Sequence, residues 1–394
     1  MTDREKLTRE EFQGRRAAPQ RHGTLHRIAV LGLTLLIVLL AVMAAAYLDL
    51  SNFDSLRRAL SYDKSDGADA NSYVYDNDRT SCFALLGDRL LVVSATRLSV
   101  LADDGTEVYT QEVRFSAPAL AVGGKTAVAY DVGGTALYLL SEKGFVRDLS
   151  GETGNGVVSA RLNSSDFLAL VTDKSGYRSS VSVYTASGDR AFTFNSSNHY
   201  MLDAVCERDG KHVAVVTLGE DNGAFTSTVR RYALDQETAL STCTLDDTLL
   251  YELGSLGGTT VAVTDRSFFA LSADGSLKGL YDYAYPYLRG STLGGSDFGA
   301  LVLSRYRSGS AGKLVTVSAD GGLLASLQTQ RDVLDISAAG KYLAVLYSDE
   351  LVIYYSDLTE YASLEDTQYA RGVLMRPDGT AVLLGASRGW LFVP

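Results

Sequence analysis

The sequence predicts an all-β fold built from one unit repeated eight times, and three observations predict it. Short apolar runs of one type begin at residues 90, 126, 167, 212, 260, 300, 342 and 380, so successive copies lie 36 to 48 residues apart. They read LLVV, TAVA, FLAL, HVAV, TVAV, ALVL, YLAV and TAVL. Each is bracketed by tight Gly/Asp turns such as Gly123-Gly124, Asp209-Gly210 and Asp378-Gly379, which supply the positive φ of a short hairpin. The eighth unit runs out of chain before its outer strand, while a spare strand, SYVYD at 72–76, precedes the first unit. A period near 40–45 with four strands per unit is the mark of propeller blades. The spare strand completes the last blade and closes the ring, which removes the edges a linear array would expose. The expected architecture is therefore an eight-bladed β-propeller closed by an N-terminal strand. Seven blades is the alternative, and it requires residues 245–290 to be irregular.

Composition agrees. The 394 residues include 37 Gly and 23 Tyr but 5 Pro and 1 Trp. Long helical periodicity is scarce, and the β-rich runs are too short for helices. A β-sandwich would explain neither the steady period nor the permuted ends.

The first element in the chain is different. Residues 28–48, IAVLGLTLLIVLLAVMAAAYL, carry no charge. As a helix they span about 31 Å, enough for a bilayer core of about 30 Å. The run is longer than the apolar core of a cleaved signal peptide. An uncleaved transmembrane helix anchored in membrane lipid is expected. Arg15, Arg16, Arg21 and Arg27 precede it, which keeps the tail 1–27 in the cytoplasm and the bulk outside. Residues 49–71 read as a juxtamembrane helix and linker: Phe53, Leu56 and Leu60 share a helical face, then Gly67 and several Asp and Ser follow. Residues 72–394 form the extracytoplasmic propeller.

Charge and motifs exclude several functions. Net charge is −11; residues 1–27 hold seven Lys/Arg and four acids, +3, so the remainder carries −11 − 3 = −14. That is a poor match for nucleic acid, whose binding rests on neutralising phosphate. Cys82, Cys206 and Cys243 lack metal-ligand spacing and read as small buried residues. Of four His, His22 and His26 precede the apolar run, and His199 and His212 stand too far apart for a zinc site. No Gly-x-Ser-x-Gly or Walker motif occurs. No catalytic residue, cofactor or metal is expected. Asp131, Asp173 and Asp265 recur just after the aligned strand; such aspartates form turns, although paired carboxylates could serve glycan hydrolysis.

Two of the four connections in each unit vary in length, and they fall on one face of a propeller. A rigid frame with variable loops places function on those loops. The partner-binding candidates are Tyr177 and Arg178 in the third unit, Phe225 in the fourth, the run Tyr283, Tyr285, Tyr287 and Arg289, and Arg305, Tyr306 and Arg307 in the sixth. Tyr and Arg are the types enriched at interface hot spots. The competing reading is that the alternate tyrosines pack between blades.

The runs Arg114-Phe115-Ser116-Ala117-Pro118, Ala129-Tyr130-Asp131-Val132-Gly133-Gly134, Lys174-Ser175-Gly176-Tyr177-Arg178-Ser179 and Asp209-Gly210-Lys211-His212-Val213-Ala214 carry a resemblance. The chain resembles an uncharacterised family of single-pass membrane propeller proteins of clostridial Firmicutes, related in type to WD40 and quinoprotein propellers. The one tryptophan, Trp390, leaves out the per-blade tryptophans of quinoprotein propellers. The resemblance implies topology and location and no activity. The expected role is an interaction or scaffold module at the bacterial cell envelope, with an envelope protein or glycan as partner. The alternatives are an enzyme that binds or hydrolyses envelope glycans and a surface sensor.

Overall fold

The computed structural model describes Leu33, Thr34, Leu36 and residues 72–221, 223–308 and 311–394. The chain divides into two compact units, Met1–Asp63 and Lys64–Pro394. The expected tail, membrane span and juxtamembrane stretch lie outside the described residues, except that Leu33, Thr34 and Leu36 are helical. Among the described residues no helix is long and apolar enough to cross a membrane.

Among its described residues the second unit has 32 strands. Strand β1 is Ser72–Val74. Blade one is β2 to β5: Cys82–Leu86, Arg89–Val93, Arg97–Leu101 and Glu107–Glu112. Blade two is β6 to β9: Pro118–Val122, Thr126–Asp131, Leu137–Ser141 and Gly144–Asp148. Blade three is β10 to β13: Gly156–Leu162, Leu168–Asp173, Ser179–Tyr184 and Arg190–Ser196. Blade four is β14 to β17: Tyr200–Cys206, His212–Asp221, Ala224–Ala233 and Ser241–Asp246. Blade five is β18 to β21: Leu250–Leu256, Thr259–Thr264, Ser267–Leu271 and Leu277–Asp282. Blade six is β22 to β25: Tyr287–Thr292, Phe298–Ser304, Gly312–Ser318 and Leu323–Thr329. Blade seven is β26 to β29: Val333–Ala339, Tyr342–Tyr347, Glu350–Tyr355 and Glu360–Glu365. Blade eight takes β30 to β32, Gly372–Met375, Ala381–Leu384 and Arg388–Phe392, and β1 as its fourth strand.

Among the described residues the strands form eight four-stranded antiparallel sheets, so the seven-blade alternative fails. Residues 245–290 are regular: β18 to β21 pair in sequence. Ring closure holds as expected. Ser72, Tyr73 and Val74 pair with Trp390, Gly389 and Arg388. The paired part of the closing strand is shorter than 72–76. Tyr75 continues it through one bond, its N–H donating to the Ser387 carbonyl at 3.2 Å.

The core explains why the repeat is so legible. Second strands are buried on both sides, as in Tyr342–Tyr347, where all six residues are buried. Each blade packs between two others, so both faces of its central strands exclude water and read as continuous apolar runs. Fourth strands form the rim and alternate, as Ser241–Asp246 does between half-buried and exposed positions. The apolar clusters are interfaces between successive blades. Leu91, Val93, Ala127 and Ala129 join blades one and two. Tyr73, Tyr75, Leu90, Val92 and Val382 join blade eight to blade one and complete the circle.

The turns also lock blades together. Gly321 has φ +83°, and a Cβ there would stand 2.5 Å from the carbonyl carbon of Gly279 in the preceding blade. Only glycine permits both that backbone and that approach.

Candidate functional site

In blades one to seven the first-to-second and third-to-fourth turns share one face, as does the first-to-second turn of blade eight. The second-to-third connections and the links between blades share the other. This second face is where the exposed aromatic side chains gather. Among the described residues the exposed Tyr and Phe are Phe145, Tyr177, Tyr200, Phe225, Tyr251, Tyr287, Tyr306 and Tyr369. All but Phe145, which lies on the rim strand β9, belong to connections or strand starts of that face. The face is uneven as well, with six of the seven on blades three to six.

Two clusters hold most of the candidates. Around blades three and four, the Arg178 guanidinium donates to the Tyr200 hydroxyl at 2.6 Å and lies 4.9 Å from the centre of that ring. Lys174 covers Tyr177 at 5.8 Å. Phe225, at the tip of the β15–β16 hairpin, is 65% exposed. Around blades five and six, Arg305 lies over the Tyr285 ring at 5.3 Å and donates to its hydroxyl at 3.4 Å. Bonds to Gln328 and Arg305 hold the Tyr285 phenol below its ordinary value. Arg289 donates to the Arg307 carbonyl at 3.1 Å. Tyr306 is exposed beside them.

Tyr283 corrects the expected set. It packs with Tyr281 and Tyr285 against the core between blades five and six. Burial pushes its phenol well above the ordinary range. Strand β21 ends at Asp282 and β22 begins at Tyr287, so the alternation through 281–287 is broken by a link. Tyr283 and half-buried Tyr285 fold inward there, whereas Tyr287 remains exposed. Sequence reasoning missed Tyr200, Tyr251 and Tyr369. Their one signal was position, at or just before the start of an inner strand.

Along the inner strands lies the second feature the sequence did not disclose. The first strands of the blades surround a central channel with a cavity of about 1320 Å³, lined by residues of blades one to six. Five consecutive inner strands, β10, β14, β18, β22 and β26, carry a bulge near their start. A bulge re-aims side chains. The bulged residues Tyr251, Arg289 and Leu334 are exposed. The residues just after the bulge, Ser159, Asp203, Glu252 and Asp335, are polar and anchor a hub. Ser159 donates to Asp203 at 2.5 Å, and Arg161 meets Asp203 at 3.0 Å and Glu252 at 3.4 Å. Ser291 donates to Glu252 at 3.3 Å. One network thereby ties blades three, four, five and six. Burial opposes the charge on Arg161, but the two carboxylates outweigh it and hold the guanidinium above its ordinary value.

Asp335 ties blade seven to blade eight by accepting from the Ile336 and Val373 N–H groups at 2.9 Å each. Burial raises its carboxyl above the ordinary range against those two donors. A carboxyl with a raised folded value contributes stability that is present below its unfolded value and lost as pH rises through the folded one. The stability of Asp335→Asn relative to wild type is therefore expected to improve from about pH 4 toward pH 7. Denaturant titrations across that range check it, and a difference independent of pH overturns it.

The aspartates considered for hydrolysis hold backbone. Asp131 accepts the Ser116 and Ala117 N–H groups at 2.7 Å each, and Asp265 accepts that of Leu249 at 2.9 Å. Each fastens the end of its second strand to the start of its first, a tie across the blade where a local turn was expected. Asp173 is exposed at the end of β11. His212 is less isolated than its spacing implied: Glu207, Asp209 and His212 offer ligand atoms within 4.8 Å of one another. Arg231 grips both oxygens of Glu207, at 2.6 and 2.9 Å, and Asp209 accepts the Lys211 N–H at 2.8 Å and meets His212 Nδ1 at 2.5 Å. The group is a closed ion-pair network, with its carboxylates already used.

A closed wheel of eight four-stranded sheets defines an eight-bladed β-propeller. The chain belongs to a family of unknown function, DUF5711, whose model matches residues 63–362. No curated protein sequence matches it. Among solved structures it is similar to the C-terminal WD40 domain of Sif2, with a TM-score of 0.58 and 14% identity over 82% of this chain and 97% of that one. It is similar to the Dos1 propeller, with a TM-score of 0.54 and 9% identity over 83% and 96%. BamB from Moraxella catarrhalis gives 0.49 and 13% over 81% and 97%. At these identities the likeness is one of fold.

Proposed function

We propose that the chain is a membrane-anchored interaction module of the bacterial cell envelope, with its propeller outside the membrane and its partner on the wide-loop face over blades three to six. The observation that carries this reading is the one-sided placement of the exposed aromatics. Seven of eight lie on that face, two with a guanidinium or ammonium group over or beside the ring. Half of a rigid wheel, tied by its hub, presents rings that lose little entropy on binding. The anchor rests on the uncharged run 28–48 and on the arginines before it. The carboxylates of Asp131 and Asp265 are engaged by backbone, which favours binding over hydrolysis.

Two measurements in one cell line test it. Protease added to wall-stripped cells is expected to remove a tag placed after Pro394 and spare one at Met1. A photo-crosslinking residue at Tyr177 or Tyr306 is expected to give a discrete adduct absent when it replaces Lys143, on the opposite face. Protection of both tags overturns the location. Equal labelling from Lys143 overturns the face.

A further inference from the structure

Arg289, Arg305 and Arg307 converge at the junction of blades five and six, and none of them takes part in an ion pair among the described residues. Several other surface arginines do find acids: Arg97 pairs with Glu107, Arg266 with Asp247, and Arg331 with Asp349 and Glu350. Residues 28–71 hold five Asp and three Lys/Arg, so the propeller, residues 72–394, carries −14 + 2 = −12, and three guanidinium groups without acid partners in one place stand against the field of the molecule. Two are held in position. Arg289 is fastened to the Arg307 carbonyl, and Arg305 lies on Tyr285, whose hydroxyl is shared with Gln328 at 3.3 Å. Their side chains are exposed, and Tyr287 and Tyr306 flank them with 40% and 57% of their surface free.

We infer that this junction binds an acidic, aromatic-bearing segment of a partner protein, with carboxylates on the three arginines and apolar side chains on Tyr287 and Tyr306. The inference rests on the interaction-module reading above and gives that partner its chemistry. The guanidinium fork matches a carboxylate through two parallel bonds. A phosphate polymer would satisfy the arginines equally, but it would leave the exposed rings unused. The rings favour a peptide. The net negative charge of the propeller disfavours the same partner over most of the remaining surface.

The test uses the full chain in detergent and fluorescent probes of defined chemistry: a random Glu/Tyr copolymer, poly-glutamate and a poly(glycerol phosphate). Binding is followed by anisotropy at low and moderate salt. The wild-type chain is expected to prefer the Glu/Tyr copolymer and to bind it more weakly as salt rises. The variant Arg289→Gln/Arg305→Gln/Arg307→Gln is expected to bind at least about tenfold more weakly. The variant Lys125→Gln/Lys143→Gln/Lys211→Gln makes the same charge change on the opposite face and is expected to bind as wild type. Equal losses in the two variants, a wild-type preference for the phosphate polymer, or no binding of the copolymer each overturn the inference. Unchanged circular dichroism of the arginine variant shows that a loss is not misfolding. If the crosslink from Tyr306 survives in the arginine variant, the interaction face stands and this inference alone falls.

Discussion

Replacing Tyr73 and Tyr75 together with alanine is expected to abolish cooperative folding of the propeller, although they lie in or just beyond a closing strand of three paired residues. Tyr73 has no exposed surface and Tyr75 6%. Arg376 donates to the Tyr73 hydroxyl at 3.0 Å. The Tyr75 hydroxyl shares its one hydrogen between the carbonyls of Gly385 and Arg388, at 3.1 and 2.9 Å, and its ring meets Phe83 of blade one at 5.0 Å. Truncating one buried aromatic costs about 3–5 kcal/mol. Two would consume most of the roughly 5–15 kcal/mol by which a domain is stable. The ring raises the stakes. Losing β1 exposes an edge on blade eight and separates blade eight from blade one, so both partners of one interface loosen together. The sole tryptophan, Trp390, pairs directly with Ser72 and packs on Tyr369 at 4.4 Å. Its fluorescence therefore reports the closing blade. The double variant should show no sigmoidal urea transition, while Val74→Ala, whose side chain is 62% exposed, should unfold as wild type. A cooperative transition in the double variant would mean that the ring does not depend on its clasp.

The second large effect is expected at the hub. Asp203→Ala removes the carboxylate that Arg161, Ser159 and the Ala204 N–H all use. Arg161 would be left with Glu252 alone. Removing one partner of a fully buried pair costs about 3–5 kcal/mol. Here about 2–3 kcal/mol is the better expectation, because the Arg161 side chain keeps 34% of its surface accessible and the channel admits water. Arg161→Met/Asp203→Leu removes both charges of that pair and is expected to recover part of that loss, since the guanidinium is no longer stranded and Glu252, 27% accessible, keeps its bond from Ser291. Denaturant titration of the two variants decides it. If the double variant is less stable than Asp203→Ala, the hub contributes through net attraction between its charges. If Asp203→Ala is neutral, the network is ornamental to the fold.

How much of this was legible in the chain follows from where each residue's neighbours lie in sequence. The eight units could be aligned because their second strands are buried on both faces, and burial on both faces leaves an unbroken apolar run at each period. The tight turns were legible because Gly210, Gly275 and Gly379 take positive φ that only a few residues tolerate. The hub was not legible. Arg161 and Glu252 are 91 positions apart, and each inner strand offers only one or two polar residues that look like ordinary variation. Nor could alternation separate Tyr283 from Tyr287. They share a parity, and the break between β21 and β22 sends one into the interface and leaves the other outside.

The amino-acid pattern alone determined the repeat and its period, the face that carries the long connections, and the need for residues near 72–76 to close the ring, while the structure decided eight blades over seven. Those are consequences of period and hydrophobicity, which act between near neighbours. Tertiary structure alone decided which aromatics face outward, that three arginines of one junction lack acids, and that Ser159, Arg161, Asp203, Glu252 and Ser291 meet across a channel. Such meetings depend on the curvature of the closed wheel, which brings strands of four blades toward one axis, and no stretch of local sequence encodes that distance.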